Sequence, residues 1–187
     1  EIHTLAYFDP LTDLPNRRLL MDRLSQALIA SKRSRAHGAL VILDLDNFKV
    51  LNDTRGHDVG DRLLKDVAQR LIAHVRQEDT VARLGGDEFV VILEHLSEDE
   101  ASAALQAELI AEKARQALSQ PYYPDDTGCG HDATASAGIT LFQGADISAD
   151  MLLKQADVAL YQAKDAGRDR LRFFNQAMQA AIDARAA

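Results

Sequence analysis

The sequence predicts an α+β fold, a mostly antiparallel sheet with helices packed on it. Three observations carry this. Residues 39–45 (ALVILDL) form a short apolar run that meets acids at its end, the mark of a buried strand. Two β-prone runs, 80–84 and 88–94, are joined by Gly85-Gly86, a hairpin signal because tight hairpin turns need positive φ. Between these strands, Val59, Leu63, Leu64, Val67, Leu71, Ile72 and Val75 recur at the spacing of one helical face, predicting a long helix over 58–76.

The remaining elements follow in order. Residues 9–16 (DPLTDLPN) are turn-rich. A helix is expected over 17–31, with Leu20, Leu24 and Leu28 on one face, and a basic loop over 32–38. Residues 47–57 read as a loop or short turn. Asp58 and Asp61 suit the N-terminal dipole of the helix that follows. A helix is expected over 98–118, a loop over 121–132, a strand over 133–142, a helix over 148–166 ending at Gly167, and a last strand over 171–174. The central order, βαββαβ, is ferredoxin-like. One domain is expected over 1–175 and a tail or linker over 176–187, leading toward a further domain.

Bulk composition narrows the function classes. With 187 residues, 47% apolar and 27% charged, the chain suits one soluble globular domain. No apolar run approaches the roughly 20 residues of a membrane helix. The single cysteine, Cys129, cannot form an internal disulfide, which fits a cytoplasmic domain. The chain does not begin with Met and reads as a piece of a longer protein, whose other parts leave a membrane anchor open. A net charge of −8 with scattered Lys and Arg argues against nucleic-acid binding. A small phosphate substrate needs only a few local cations and a metal.

The chemistry points to the acids. Asp44 and Asp46 end the buried strand and share a face, since side chains two apart on a strand point the same way. The hairpin tip adds Asp87 and Glu88. If strand and hairpin lie side by side, three or four carboxylates converge, and that much like charge calls for a cation. All-oxygen ligands select a hard ion, Mg2+ or Mn2+, suited to attack at phosphorus. Alone, the hairpin acids read as an ordinary solvated turn. Only both sets together favour a metal, and spacing alone leaves open whether they meet.

LGGDEF (84–89) resembles the signature of the GGDEF family of diguanylate cyclases, and three further segments match it in order: DPLTDLPNRR (9–18), DLDNFKVLNDTRGHDVGDRLL (44–64) and ADVALYQAKDAGRDR (156–170). The resemblance implies a nucleotidyl cyclase palm in which two GTP molecules, one in each of two facing domains, condense to cyclic di-GMP with loss of two pyrophosphates. It implies a metal held by the side chains of Asp44, Asp87 and Glu88 and the carbonyl of Leu45. Asp87 or Glu88 would accept the 3′-hydroxyl proton. Asn52 and Asp61 would read guanine, with His57 near the nucleotide. Phe48 and Lys49 would hold phosphate, Gly85 and Gly86 would let the backbone approach the nucleotide, and Lys164 and Arg168 would bind the outer phosphates. A spacing of four places those two cations on one helical side.

The resemblance also makes Arg76 and Asp79 an RxxD site for inhibition by the product. It implies a homodimer for catalysis and fused sensor and possible EAL-type phosphodiesterase domains. The alternative is a regulatory module that binds GTP or cyclic di-GMP to control such a phosphodiesterase.

Overall fold

The computed structural model describes residues 6–144 and 146–186. In chain order the elements are α1 (Arg17–Ser34), β1 (Gly38–Leu45), α2 (Phe48–Arg55), α3 (His57–Ala73), β2 (Thr80–Gly85), β3 (Glu88–Leu93), α4 (Glu100–Leu118), β4 (Ala135–Phe142), α5 (Ala149–Asp165), β5 (Leu171–Phe173) and α6 (Gln176–Ala186). The sheet runs β2-β3-β1-β4-β5. Every pairing is antiparallel except β4 with β5, which is parallel. The first four strands in this order are the ferredoxin-like sheet, with α5 and β5 added at one edge.

The central strand is covered on both faces, as its unbroken apolar run requires. Ala39, Val41, Leu43 and Leu45 join a core with Leu63, Val67 and Leu71 of α3 and Ala103, Ala107 and Ala111 of α4. Leu40 and Ile42 join a second core with Leu20 and Leu24 of α1 and Leu152, Ala156 and Leu160 of α5.

Three boundaries differ from expectation. Residues 47–57, read as a loop, contain the two-turn helix α2. Its own propensity is weak, and it is held by burial of Phe48 and Leu51. Helix α1 continues to Ser34, its last turn taking Lys32 and Arg33 where cations suit the dipole. Helix α3 stops at Ala73 rather than running to residue 76, because Arg76–Asp79 closes a turn of its own, Asp79 N–H donating to the Arg76 carbonyl at 3.0 Å. The segment expected as a tail is helical, and its Gln179 side chain accepts from the Phe173 amide at 2.8 Å.

Candidate active site

Register brings the two sets of acids together. Asp44 lies opposite Glu88 on β3 and opposite Ser136 on β4. Like charges directly across a sheet repel, so this corner is strained electrostatically. The Asp87 carboxyl is pushed up to about 7, first by burial and then by its hydrogen-bonding contact with Asp44. Glu88 is raised too, by burial and by the charges of Asp157 and Asp44, with Arg17 and Lys164 opposing. Lys164, in the last turn of α5, donates to Asp44 Oδ2. Asp44 Oδ1 is buried with no hydrogen-bond partner.

Asp46 does not join them. It accepts from Thr134 Oγ1 at 2.6 Å, Ser136 Oγ at 2.7 Å and the Asp169 amide at 3.1 Å. Those donors satisfy it as a structural acid tying β1 to β4 and to the turn after α5. Among the described residues, no three acid, histidine or cysteine side chains stand in a metal-holding cluster. The fit to a hard cation therefore rests on two carboxylates in contact, Asp44 and Asp87, and on the orphaned Asp44 oxygen. Leu45 buries its side chain in the core and has only its backbone to offer.

The hairpin is held from outside the sheet. Gly85 and Gly86 have φ of 142° and 49°, conformations that L side chains rarely adopt. Arg83 donates to the Gly86 carbonyl from Nε at 3.0 Å and Nη2 at 2.8 Å. Its Nη1 reaches Asp9 at 2.9 and 3.1 Å. Burial would raise Asp9, but hydrogen bonds from Thr12 and the Arg83 guanidinium outweigh it and hold its carboxyl below the usual range. The entry turn and the hairpin tip are thus one braced unit. Sequence reading matched the 9–18 segment to the family without finding this link.

Helices α2 and α3 carry the remaining candidates. Asn47 enters α2 at φ 61°, and the first-turn amides at Phe48 and Lys49 lack intrahelical acceptors. Asn52 is half-buried, and its Oδ1 is buried without a partner. A Cβ at Gly60 would lie 1.9 Å from that oxygen, so the glycine is what lets α3 pass so close. Lys49, His57 and Asp61 are exposed. Arg168 is exposed as well, but α5 ends at Asp165, and Arg168 sits beyond it at φ 62°. The helical-face argument for pairing it with Lys164 therefore fails: the left-handed turn, not helical spacing, places it.

Residues 119–132, for which sequence reading offered no role, strap α2 and α3. Arg55 pairs with Asp125 at 2.5 Å. Arg62 donates to the Pro124 carbonyl at 3.2 Å. Arg70 lies 3.7 Å over the Tyr122 ring and donates to the carbonyls of Ala117, Gln120 and Pro121. Cys129 is exposed on this strap.

Arg76 and Asp79 form a closed pair. Asp79, with no exposed side-chain area, accepts from the Arg76 amide at 3.0 Å, the Arg76 guanidinium at 3.2 Å and the Glu94 amide at 3.2 Å. Arg76 also donates to the Glu94 carbonyl.

Comparison with known proteins agrees with this fold. Residues 6–170 match the family described as diguanylate cyclase, GGDEF domain. The bifunctional diguanylate cyclase/cyclic di-GMP phosphodiesterase MucR of Pseudomonas aeruginosa is 44% identical over 96% of this chain, which spans 25% of that protein. The chain spans between 16% and 36% of the length of the curated relatives it matches. The GGDEF domain of TpbB (YfiN) from Pseudomonas aeruginosa superposes with a TM-score of 0.83 at 33% identity, covering 95% of this chain and 99% of that one. The GGDEF domain of DgcB from Caulobacter crescentus, solved in complex with c-di-GMP, gives 0.82 at 29% identity, covering 91% and 94%. The chain belongs to the GGDEF family of diguanylate cyclase domains. Among the described residues no helix is long and apolar enough to cross a membrane.

Proposed function

We propose that this domain condenses two GTP molecules into cyclic di-GMP with release of two pyrophosphates, each of two identical domains presenting one nucleotide to the other. The observation that carries the reading is the contact between Asp44 and Asp87 at the glycine hairpin, with one Asp44 oxygen left unsatisfied. Two such carboxylates fit Mg2+ or Mn2+, with the Leu45 carbonyl as a further ligand and Glu88 adjoining; bound there, the ion would neutralise phosphate charge and activate oxygen.

The chain's own groups do the rest. Asn52 and Asp61 take the guanine edge, where a carboxylate accepts from a donor pair that adenine lacks; His57 stands beside them. The first-turn amides at Phe48 and Lys49, with the lysine, hold phosphate as helix N-termini do. Gly85 and Gly86 allow the backbone close to the nucleotide. Lys164 and Arg168 bind the outer phosphates. Asp87 or Glu88, both raised by burial and by neighbouring acids, accepts the proton of the attacking 3′-hydroxyl. A half-site of this kind needs a partner copy, because each hydroxyl attacks the other nucleotide.

The part-exposed Arg76 guanidinium, held in place by the buried Asp79, serves the product as an inhibitory site, beside a cleft of about 540 Å³ lined by Arg23, Gln77 and Glu78. In the whole protein, flanking sensor and phosphodiesterase domains set how often two copies meet. The relative MucR, a bifunctional diguanylate cyclase/cyclic di-GMP phosphodiesterase, favours that arrangement.

The test is a forced dimer supplied with GTP and Mg2+. Cyclic di-GMP should appear, and Asp87→Ala should lower the rate on the order of a hundredfold or more, as loss of a charge-stabilising group does. GTP bound without turnover in the dimer, with Asp87→Ala indistinguishable from the parent, would instead show a regulatory module.

A further inference from the structure

Asp44 already has a cation. Lys164 crosses from the last turn of α5 to Asp44 Oδ2, a contact between residues 120 apart in sequence. We propose that Lys164 is the resident counter-ion of Asp44 in the nucleotide-free domain. It competes with the divalent cation for that carboxylate and yields it only when nucleotide phosphates offer the ammonium another partner. This rests on the reading of Asp44 as a metal ligand.

The placement of charge supports it. The Asp44 side chain is 12% exposed and that of Lys164 34%, so the pair is partly withdrawn from water. Asp87, Glu88 and Asp157 crowd the same corner, and Arg17 is the other cation that faces Glu88. Removing the ammonium without replacement would leave Asp44 with neither oxygen satisfied, since Oδ1 has no donor. A lysine has a flexible stem and a compact charge, so it can change partners by rotation about its own bonds. Once displaced it needs an anion, and the outer phosphates of the nucleotide are the anions the site is expected to receive.

The consequence is coupling. A free divalent ion must evict Lys164 and leave it unpaired, whereas an ion arriving with nucleotide brings the phosphate that receives it. Metal and nucleotide therefore strengthen each other's binding, and by linkage the effect is reciprocal. The site resists occupation by metal alone.

The experiment is Mn2+ binding to the nucleotide-free domain, followed by electron paramagnetic resonance. Lys164→Met should bind Mn2+ about tenfold more tightly, the scale on which one adjacent opposite charge alters a carboxylate's affinity for a cation. Lys164→Arg should stay near the parent. Lys154→Met, which removes the same charge from an exposed position on α5, should change nothing. The gain in Mn2+ affinity on adding a GTP analogue blocked at the α-phosphate should shrink in Lys164→Met. Lys164→Gln repeats the test if methionine disturbs the fold.

Unchanged or weaker Mn2+ binding in both neutral variants, with Asp44→Asn abolishing it, would overturn the rivalry and leave the metal site intact. Mn2+ binding indifferent to Asp44→Asn would overturn the metal reading, and the proposal with it.

Discussion

Strands β2 and β3 carry a tight acidic turn at each end, and the two ends are opposite in character. At one, Asp79 is fully covered, and Arg76 and the Glu94 amide satisfy it. At the other, Asp87 leans on Asp44, its carboxyl pushed up to about 7 by burial and that contact, and an Asp44 oxygen has no partner. The contrast recurs two residues along the chain, where Asp46 takes three donors and Asp44 is left short. An acid compensated within the fold acts as a lock. An acid left uncompensated beside another acid costs stability and is kept for what it binds.

The comparison can be broken at the locked end first. Asp79→Ala removes the acceptor for the Arg76 guanidinium and the Glu94 amide, and should lower stability by about 2 kcal/mol, the range for orphaning buried donors. Denaturant unfolding measures this. An unchanged midpoint would mean that the turn holds without its acid.

Arg83→Lys comes next. A lysine cannot span Asp9 and the Gly86 carbonyl together, and the loss should cost about 1 kcal/mol. Cyclase activity should fall by more than that change in stability accounts for, because the hairpin tip loses its brace. Stability lost with full activity would show that the brace does not position the site.

A third test is the pH dependence of the metal-free site. The folded carboxyl of Asp87 stands near 7, above the ordinary 3.8, so the stability it contributes is full below about pH 3.8 and is lost as pH rises toward about 7. Glu88 and Glu94 are raised by burial and act in the same sense. In chelator, Asp87→Asn should therefore melt progressively higher relative to the parent across that window. A constant difference in Tm would mean that neither burial nor Asp44 raises the Asp87 carboxyl. Saturating Mg2+ should narrow the gap by neutralising the pair.

What the sequence revealed follows the range of the interactions. Strand β1, the hairpin and α3 were legible because each is written in a local pattern: an apolar run, a Gly-Gly pair, a helical repeat. Helix α2 was missed because its eight residues, FKVLNDTR, are mostly polar and helical only through the burial of Phe48 and Leu51. The meeting of Asp44 with Asp87 was conditional on a register that local pattern does not state. Asp46 was grouped with Asp44 because both share a face, but Thr134 and Ser136, nearly ninety residues away, decide its role. Arg83 and Asp9 are 74 apart, and nothing near either announces the brace. Gly60 carries no signal in a helix until Asn52 is seen against it. Family resemblance supplied the roles of Asn52, Asp61 and Lys164, which periodicity alone would have left as a polar residue and two solvated charges.

The contacts that bring Asp44, Asp87 and Lys164 together join distant parts of the chain, Lys164 and Asp44 standing 120 residues apart. Long loops must close before such contacts reward them, so topologies of this kind are entered late during folding. Helical signal from α3 and α4 can return while β1 still lacks β4 on one side. The ability to hold a cation cannot, because it needs β1 and the hairpin in register at once. During refolding, recovery of Mn2+ binding should lag recovery of helical circular dichroism, and the lag measures the time the chain takes to bring the hairpin beside its first strand.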